Sequence, residues 1–332
     1  MTGILVSAHF PADAAARMET AARERGQSIR WIHLPADPDA RLDAVALAAV
    51  EVAFFSVDIF ETVNRAFFSA VRKAPNIRWL HVFNVGVDHP VFTAMLESGL
   101  RITTSAGTSA IPIAQTAITG LLMLARGFPI WLEAQRRHQW RQMRGAEQPP
   151  DLAGQSLCVL GLGAIGAEIA RLGAALGLNV IGIRRSPRRP DEPIEEIHPP
   201  SALEQVLPRC QWLAVACPLT AETRRLIDAQ AIARLPRGAR IINVGRGEIV
   251  DERALIDALQ RSHLGGAYLD VFEKEPLPPD SPLWDLPNVI ISPHNSLAAA
   301  GNDRRVVELF VHNFVAWVND RPLTNEVPRA AG

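Results

Sequence analysis

Three stretches of this chain each end an apolar run in side chains able to do chemistry. Ile241-Ile242-Asn243-Val244-Gly245-Arg246-Gly247 offers a guanidinium, and Asp270-Val271-Phe272-Glu273-Lys274-Glu275-Pro276 offers carboxylates. Val289-Ile290-Ile291-Ser292-Pro293-His294-Asn295 offers an imidazole. A guanidinium fork matches a planar pair of oxygens, and an imidazole gains or loses a proton near neutral pH. Upstream, Gly161, Gly163 and Gly166 stand at G-x-G-x-x-G spacing. Glycines so placed let backbone approach a dinucleotide pyrophosphate at the start of a helix, whose unpaired N–H groups favour negative charge. Each residue alone has a plainer reading. Arg246 fits a surface turn, Glu275 a solvated site before proline, His294 a backbone hydrogen bond, and the glycines a helix packed tightly on a sheet.

The elements around these residues argue for more. Leu157 to Leu160 is a short continuous apolar run, as in a strand buried on both faces. Ile165, Ile169, Leu172 and Leu176 then recur at helical spacing, and Val180 to Ile183 is a second apolar run. That order of strand, glycine turn, helix and strand is the context the fingerprint requires. Further runs at Trp212–Ala216, Ile241–Val244, Ala267–Leu269 and Val289–Ile291 predict a six-stranded doubly wound sheet, with a helix over Asp251–Gln260. In an open sheet of this kind ligands bind outside the carboxyl ends of the strands. Arg246, Glu275 and His294 all follow such ends.

A first set of α/β elements precedes the fingerprint. Ile4–Val6, Ile29–Ile32, Val52–Phe55, Trp79–Val82 and Ile102–Thr103 read as strands, with a helix over Ala12–Arg25. Ser7-Ala8-His9 follows the first strand in place of a glycine turn, so this half is expected not to bind the dinucleotide. A nearly all-apolar helix is expected over Ile111–Arg126, followed by the aromatic segment Phe128–Trp140 and a polar loop from Arg144 to Asp151. The last helix, Asn302 to Asn319, carries Val306, Val307, Phe310, Phe314 and Trp317 on one face and is expected to return to the first domain.

Composition bounds the partners. The 332 residues suffice for about two domains. At 48% hydrophobic and 21% charged, the chain has ordinary material for a core. A formal net charge of −1 argues against nucleic acid or an anionic membrane as a general partner. Cys158, Cys210 and Cys217 show no metal-ligand spacing and read as buried reduced thiols of a cytoplasmic protein. The beginning MTGILVSAHF lacks the basic and apolar regions of a signal peptide, and the longest apolar stretch, Ala117–Ala125, is far below a membrane span.

The ordered motifs resemble those of the D-2-hydroxyacid dehydrogenases, a family that includes glyoxylate/hydroxypyruvate reductases. They are Gly161–Gly166, Cys217-Pro218-Leu219-Thr220 with Glu222-Thr223-Arg224, Asn243–Glu248, Asp270–Pro276 with Leu277-Pro278, Ser292-Pro293-His294, and Asn84-Val85-Gly86-Val87-Asp88. The resemblance implies a Rossmann domain (105–292) inserted into a flavodoxin-like substrate domain (1–104 and 293–332). It implies reduction of a small 2-oxo acid to the D-2-hydroxy acid, with Arg246, Glu275 and His294 as the catalytic set. Arg246 would hold the substrate's oxygens, and His294 would protonate the carbonyl oxygen as hydride arrives. Glu275 would fix the imidazole's tautomer and favour its protonated form. Backbone N–H groups of Val85 and Gly86 would hold the substrate carboxylate. The implied cofactor lining runs from Gly161, Gly163, Ala164, Ile165 and Gly166 through Cys217, Pro218 and Thr220. It continues through Val244, Gly245 and Arg246 to Asp270 and His294.

Some positions depart from the family pattern. NAD-binding relatives carry an acidic residue after the second strand of the fingerprint unit, where this chain has Arg184, Arg185 and Ser186. Arginine there suits a 2′-phosphate, so NADPH is expected over NAD, with a solvated basic loop through Arg188 and Arg189 as the plainer reading. Gln115 and Asn295 are also unusual. A dinucleotide-sensing corepressor on the same fold is the competing function, and turnover of a 2-oxo acid separates the two. Formate dehydrogenases use glutamine where Glu275 stands. The apolar excess of Ile111–Arg126 and Phe128–Trp140 predicts a homodimer through that region.

Overall fold

The computed structural model describes residues 1–37, 39, 41–87, 89–188 and 194–328. Asp88 and Arg189, singled out from the sequence, lie outside these. The chain forms two compact units, Met1–Thr108 with Ala299–Gly332, and Ser109–Ala298. The second is thus inserted in the first, and the divisions fall at 108/109 and 298/299 where the sequence reading sets 104/105 and 292/293. His294 accordingly lies in the inserted unit.

Unit 1 holds a parallel sheet of β1 (Thr2–Ser7), β2 (Ile29–Leu34), β3 (Val50–Phe55), β4 (Trp79–Val82) and β5 (Arg101–Thr104) in the order β2-β1-β3-β4-β5. This is the flavodoxin-like order. One face packs on the helix Asn302–Val318, where Phe310 and Phe314 bury against Ile4, Val6, Phe54 and Trp79. The last helix therefore does return to the first unit. Beneath it, the fully buried His81 contacts Thr103 Oγ1 through Nδ1 at 2.7 Å, and Thr103 Oγ1 also accepts from Trp79 Nε1 at 2.8 Å. Burial lowers the His81 pKa to about 3.

Unit 2 holds seven parallel strands: β6 (Ser156–Leu160), β7 (Asn179–Ile183), β8 (Glu196–His198), β9 (Trp212–Val215), β10 (Arg240–Asn243), β11 (Gly266–Leu269) and β12 (Val289–Ile291). Their order, β12-β11-β10-β9-β6-β7-β8, is the doubly wound Rossmann arrangement extended by one strand. The seventh strand corrects the expected six. Glu196-Ile197-His198 has only one apolar residue, too short a run to read as a strand, and pairs with β7 from Ile181↔Glu196 to Ile183↔His198. Glu196 is tied by Arg209 at 2.6 Å and His198 at 2.7 Å.

The helix Ala110–Ala125 is buried along most of its length among Leu157, Ile169, Trp212 and Tyr268. A second helix, Phe128–Arg136, follows it, where the sequence showed only an aromatic segment. Among the described residues no single helix is long and apolar enough to cross a membrane.

Candidate active site

All seven strands of unit 2 are parallel, so the turns after β6, β7, β9, β10, β11 and β12 share one edge of the sheet. The order reverses between β6 and β9, the point where open sheets receive ligands. Gly161 opens the turn after β6 with φ +95°, and a Cβ there would come 2.6 Å from Cys217 backbone. No other residue suits that conformation and that approach. At Gly163 a Cβ would meet nothing within 4 Å, and the helix Ala164–Ala175 starts there with no side-chain cap. Gly163 and Ala164 are exposed, Ile165 is half-buried and Gly166 is buried. An open glycine before uncapped N–H groups is the cradle that a dinucleotide pyrophosphate needs, so these residues fit the group.

After β10 the turn carrying Arg246 is closed by Asn243. Its side-chain Oδ1 accepts from Gly245 N at 3.1 Å, and its Nδ2 donates to Arg246 O at 3.0 Å. Asn243 is 1% exposed, so both bonds are shielded from water. Arg246 is half-buried, and its Nη1 donates to Gly245 O at 2.8 Å. Gly247 lies so close to the next loop that a Cβ would fall 1.8 Å from Phe272 C. The loops after β10 and β11 are therefore pressed together behind Arg246.

The three carboxylates after β11 have three different uses. Glu273 Oε1 accepts from Glu252 N at 3.3 Å and Glu252 Oε2 accepts from Glu273 N at 3.1 Å, a reciprocal brace. Glu275 Oε1 accepts from Phe272 N at 3.1 Å, and its Oε2 meets His294 Nδ1 at 2.7 Å. Asp270 is 2% exposed and anchors the loop after β12. Its Oδ1 accepts from Asn295 N at 3.0 Å, from Ser296 N at 3.1 Å and from Ser292 Oγ, while Oδ2 accepts from Ser296 Oγ. Its backbone oxygen takes the His294 N–H at 2.8 Å. His294 itself sits at φ +51°, in the left-handed region. Tyr268 OH stands 2.6 Å from Ser292 Oγ, and burial raises its pKa to about 12.

The remaining sequence candidates spread along the same edge or lie in the other unit. Val244 and Gly245 are buried where β10 ends. Cys217 is 7% exposed beside Gly161, and burial raises its thiol to about 11. Pro218 O accepts from Thr223 Oγ1 at 2.8 Å, and Thr220 Oγ1 donates to Glu222 Oε2 at 2.6 Å, closing the loop after β9. After β7, Arg184 Nε donates to Ser186 O at 2.8 Å and its Nη2 to Pro187 O at 2.5 Å, so this guanidinium braces its own turn. Arg185 and Ser186 are exposed. Val85 and Gly86 belong to unit 1, just past β4, with Val85 38% exposed.

The family described as D-isomer specific 2-hydroxyacid dehydrogenase, NAD binding domain, matches residues 118–296, over half of the chain. A glyoxylate reductase of Korarchaeum cryptofilum is 31% identical over 252 residues, covering 74% of each chain. The chain belongs to the D-2-hydroxyacid dehydrogenase family. Within this family, a crystal structure of a D-isomer specific 2-hydroxyacid dehydrogenase from Xanthobacter autotrophicus Py2 in complex with NADPH and MES is 30% identical. It superposes with a TM-score of 0.74, covering 99% of this chain and 98% of that one. An NADPH-dependent glyoxylate/hydroxypyruvate reductase from Sinorhizobium meliloti, in complex with NADP and sulfate, is 26% identical with a TM-score of 0.75, covering 100% and 99%. The inserted unit of this 2-hydroxyacid dehydrogenase is thus an NAD(P)-binding domain.

Sequence reasoning missed the residues that hold the family's motifs in place. Asn243 closes its own turn through bonds to Gly245 and Arg246, whereas Ser292 and Ser296 bond to Asp270 22 and 26 positions away, which no local pattern encodes. Tyr268 did leave a signal. A tyrosine inside a buried apolar strand needs a partner for its hydroxyl.

Proposed function

We propose that this 2-hydroxyacid dehydrogenase reduces a small 2-oxo acid, of the glyoxylate or hydroxypyruvate type, to the D-2-hydroxy acid with NADPH. The observation that carries the reading is the 2.7 Å contact of Glu275 with His294 Nδ1, on the sheet edge that also bears the Gly161–Gly166 turn. When bound, the nicotinamide supplies the hydride. Gly163 and the N–H groups of Ala164 and Ile165 would hold the pyrophosphate, and Cys217, Pro218, Thr220, Val244 and Gly245 would line the remainder of the cofactor.

Glu275 accepts a hydrogen bond from Nδ1–H, which leaves Nε2 as the nitrogen that delivers a proton to the substrate's carbonyl oxygen. The developing oxyanion is neutralised as it forms, and Glu275 holds the ring so that Nε2 faces it. Arg246 supplies the guanidinium that grips the carboxylate and carbonyl oxygens, which orients C2. NADPH is favoured because Arg184, Arg185 and Ser186 follow β7 where an acidic residue would read a free ribose hydroxyl. Solved relatives that hold NADPH or NADP support the same choice. The protein acts as a homodimer.

A panel of 2-oxo acids run with NADPH and with NADH tests the proposal, with His294→Ala as control. Turnover of glyoxylate or hydroxypyruvate, faster with NADPH and lost in the variant, is the expected result. Cofactor binding without turnover of any 2-oxo acid overturns it.

A further inference from the structure

Asp270 holds both sides of His294. Its backbone oxygen takes the His294 N–H at 2.8 Å, and its carboxylate takes the N–H groups of Asn295 and Ser296 at 3.0 and 3.1 Å. That carboxylate is in turn set by Ser292, whose Oγ donates to Oδ1. A serine hydroxyl has one proton. With that proton given to Asp270, the 2.6 Å contact between Ser292 Oγ and Tyr268 OH requires Tyr268 to be the donor. The directions are therefore fixed along the chain from Tyr268 to Ser292 to Asp270.

The phenol is held rigidly at its start. Tyr268 is the only tyrosine of the chain, is 3% exposed, and lies in β11 between Ala267 and Leu269. Its ring packs so tightly on the helix Ala110–Ala125 that a Cβ at Gly120 would come 2.3 Å from Tyr268 Cγ. Phenylalanine would fill that space as well. The hydroxyl is what phenylalanine would lack, and it points into the loop that carries the histidine.

We infer that Tyr268, acting through Ser292 and Asp270, is a positioning residue for His294. The inference deepens the proposed function, on which His294's catalytic role rests. Tyr268 touches neither substrate nor cofactor in this reading. Its hydroxyl pins the Ser292 rotor, which fixes Asp270 against the 294–296 backbone and so keeps His294 aimed.

Tyr268→Phe, Ser292→Ala, Ser292→Thr and the double variant Tyr268→Phe/Ser292→Ala test it. Tyr268→Phe should lower kcat by about 2- to 10-fold, the worth of one neutral hydrogen bond, with cofactor KM unchanged. Ser292→Thr, which keeps a hydroxyl, should retain the rate that Ser292→Ala loses. The double variant should be no slower than Ser292→Ala alone, since both changes cut one chain. A second readout does not depend on turnover. The His294 Cε1–H resonance, assigned by its loss in His294→Ala, should shift or broaden in Tyr268→Phe and Ser292→Ala but not in Ser292→Thr. If the wild type turns over no 2-oxo acid, the proposed function fails while the resonance still reads the positioning. An unmoved resonance in well-folded Tyr268→Phe, or multiplicative losses in the double variant, overturns the inference. Should Tyr268→Phe fail to fold, the Ser292→Ala and Ser292→Thr pair reads the same chain.

Discussion

Glu275 and His294, 19 positions apart in sequence, meet at 2.7 Å between Oε2 and Nδ1 while the carboxylate's other oxygen is fixed by Phe272 N. The carboxylate is held before it holds the histidine. His294→Ala should therefore lower kcat for 2-oxo-acid reduction by about 10²- to 10⁴-fold, the usual worth of general acid catalysis. Glu275→Gln keeps the shape but exchanges the charged acceptor on His294 Nδ1 for a neutral one, so kcat should fall while cofactor KM stays unchanged. Near-native rates in His294→Ala across the pH range would show that another group supplies the proton.

The cofactor prediction is sharpened by what the two arginines touch. Arg184 donates to the carbonyls of Ser186 and Pro187, whereas Arg185 is exposed. A charge-assisted hydrogen bond to the 2′-phosphate is worth roughly 10- to 150-fold in affinity, so kcat/KM for NADPH should exceed that for NADH by at least about tenfold. Arg184→Asp should reduce or reverse the preference, and Arg185→Ala should weaken NADPH alone. Both should act on cofactor KM, because the 2′-phosphate is remote from the hydride. Equal use of both cofactors by the wild type would return the arginines to a solvated loop.

Acid should weaken unit 1 through His81. Its pKa falls from 6.5 to about 3 because burial disfavours the charged ring. Below about pH 6.5 the unfolded chain takes up a proton that the folded one refuses, so stability is complete above that pH and is lost as pH falls toward 3. One such group contributes at most about 1.4 kcal/mol per pH unit of slope. His81→Gln should be less stable at pH 7 yet show a shallower fall of melting temperature between pH 6.5 and 4. Equal slopes for the two proteins would place the acid sensitivity elsewhere.

Assembly can be read by mass. Ile111, Phe128, Ile130, Trp131 and Leu132 are 37–53% exposed, and Trp140 is 93% exposed, an apolar surface that a lone copy leaves wet. Light scattering at micromolar concentration should give a dimer, and Trp131→Glu with Trp140→Glu should give monomers. A monomeric wild type would refute the homodimer, and a dimer unmoved by these changes would relocate its contact.

Much of this architecture was legible because buried parallel strands are written as continuous apolar runs. SLCVL, WLAV and the runs ending in Asn243, Leu269 and Ile291 announced themselves, and the polar residues just beyond them marked the sheet edge. The edge strand β8 was illegible because a strand half open to solvent keeps its polar residues, here Glu196 and His198. The helix Phe128–Arg136 was blurred by the exposed aromatic residues on it. Side chains that act on other loops were hidden for a different reason. The bonds from Arg184 to the carbonyls of Ser186 and Pro187, and from the 295–296 backbone to Asp270, could not be read, because sequence lists donors and acceptors without saying which ones the backbone has claimed.

The left-handed backbone at His294 sets local stability against catalysis at a single position. At φ +51° a side chain costs about 1–2 kcal/mol that glycine would not incur, so local stability alone would favour glycine at this position. Stability and turnover therefore pull in opposite directions at one residue. His294→Gly should melt higher than His294→Ala, which keeps the strained backbone without the imidazole, and neither should reduce a 2-oxo acid efficiently. The histidine persists there against the preference of its own peptide bonds, and the bonds converging from Asp270 keep the strained conformation from relaxing.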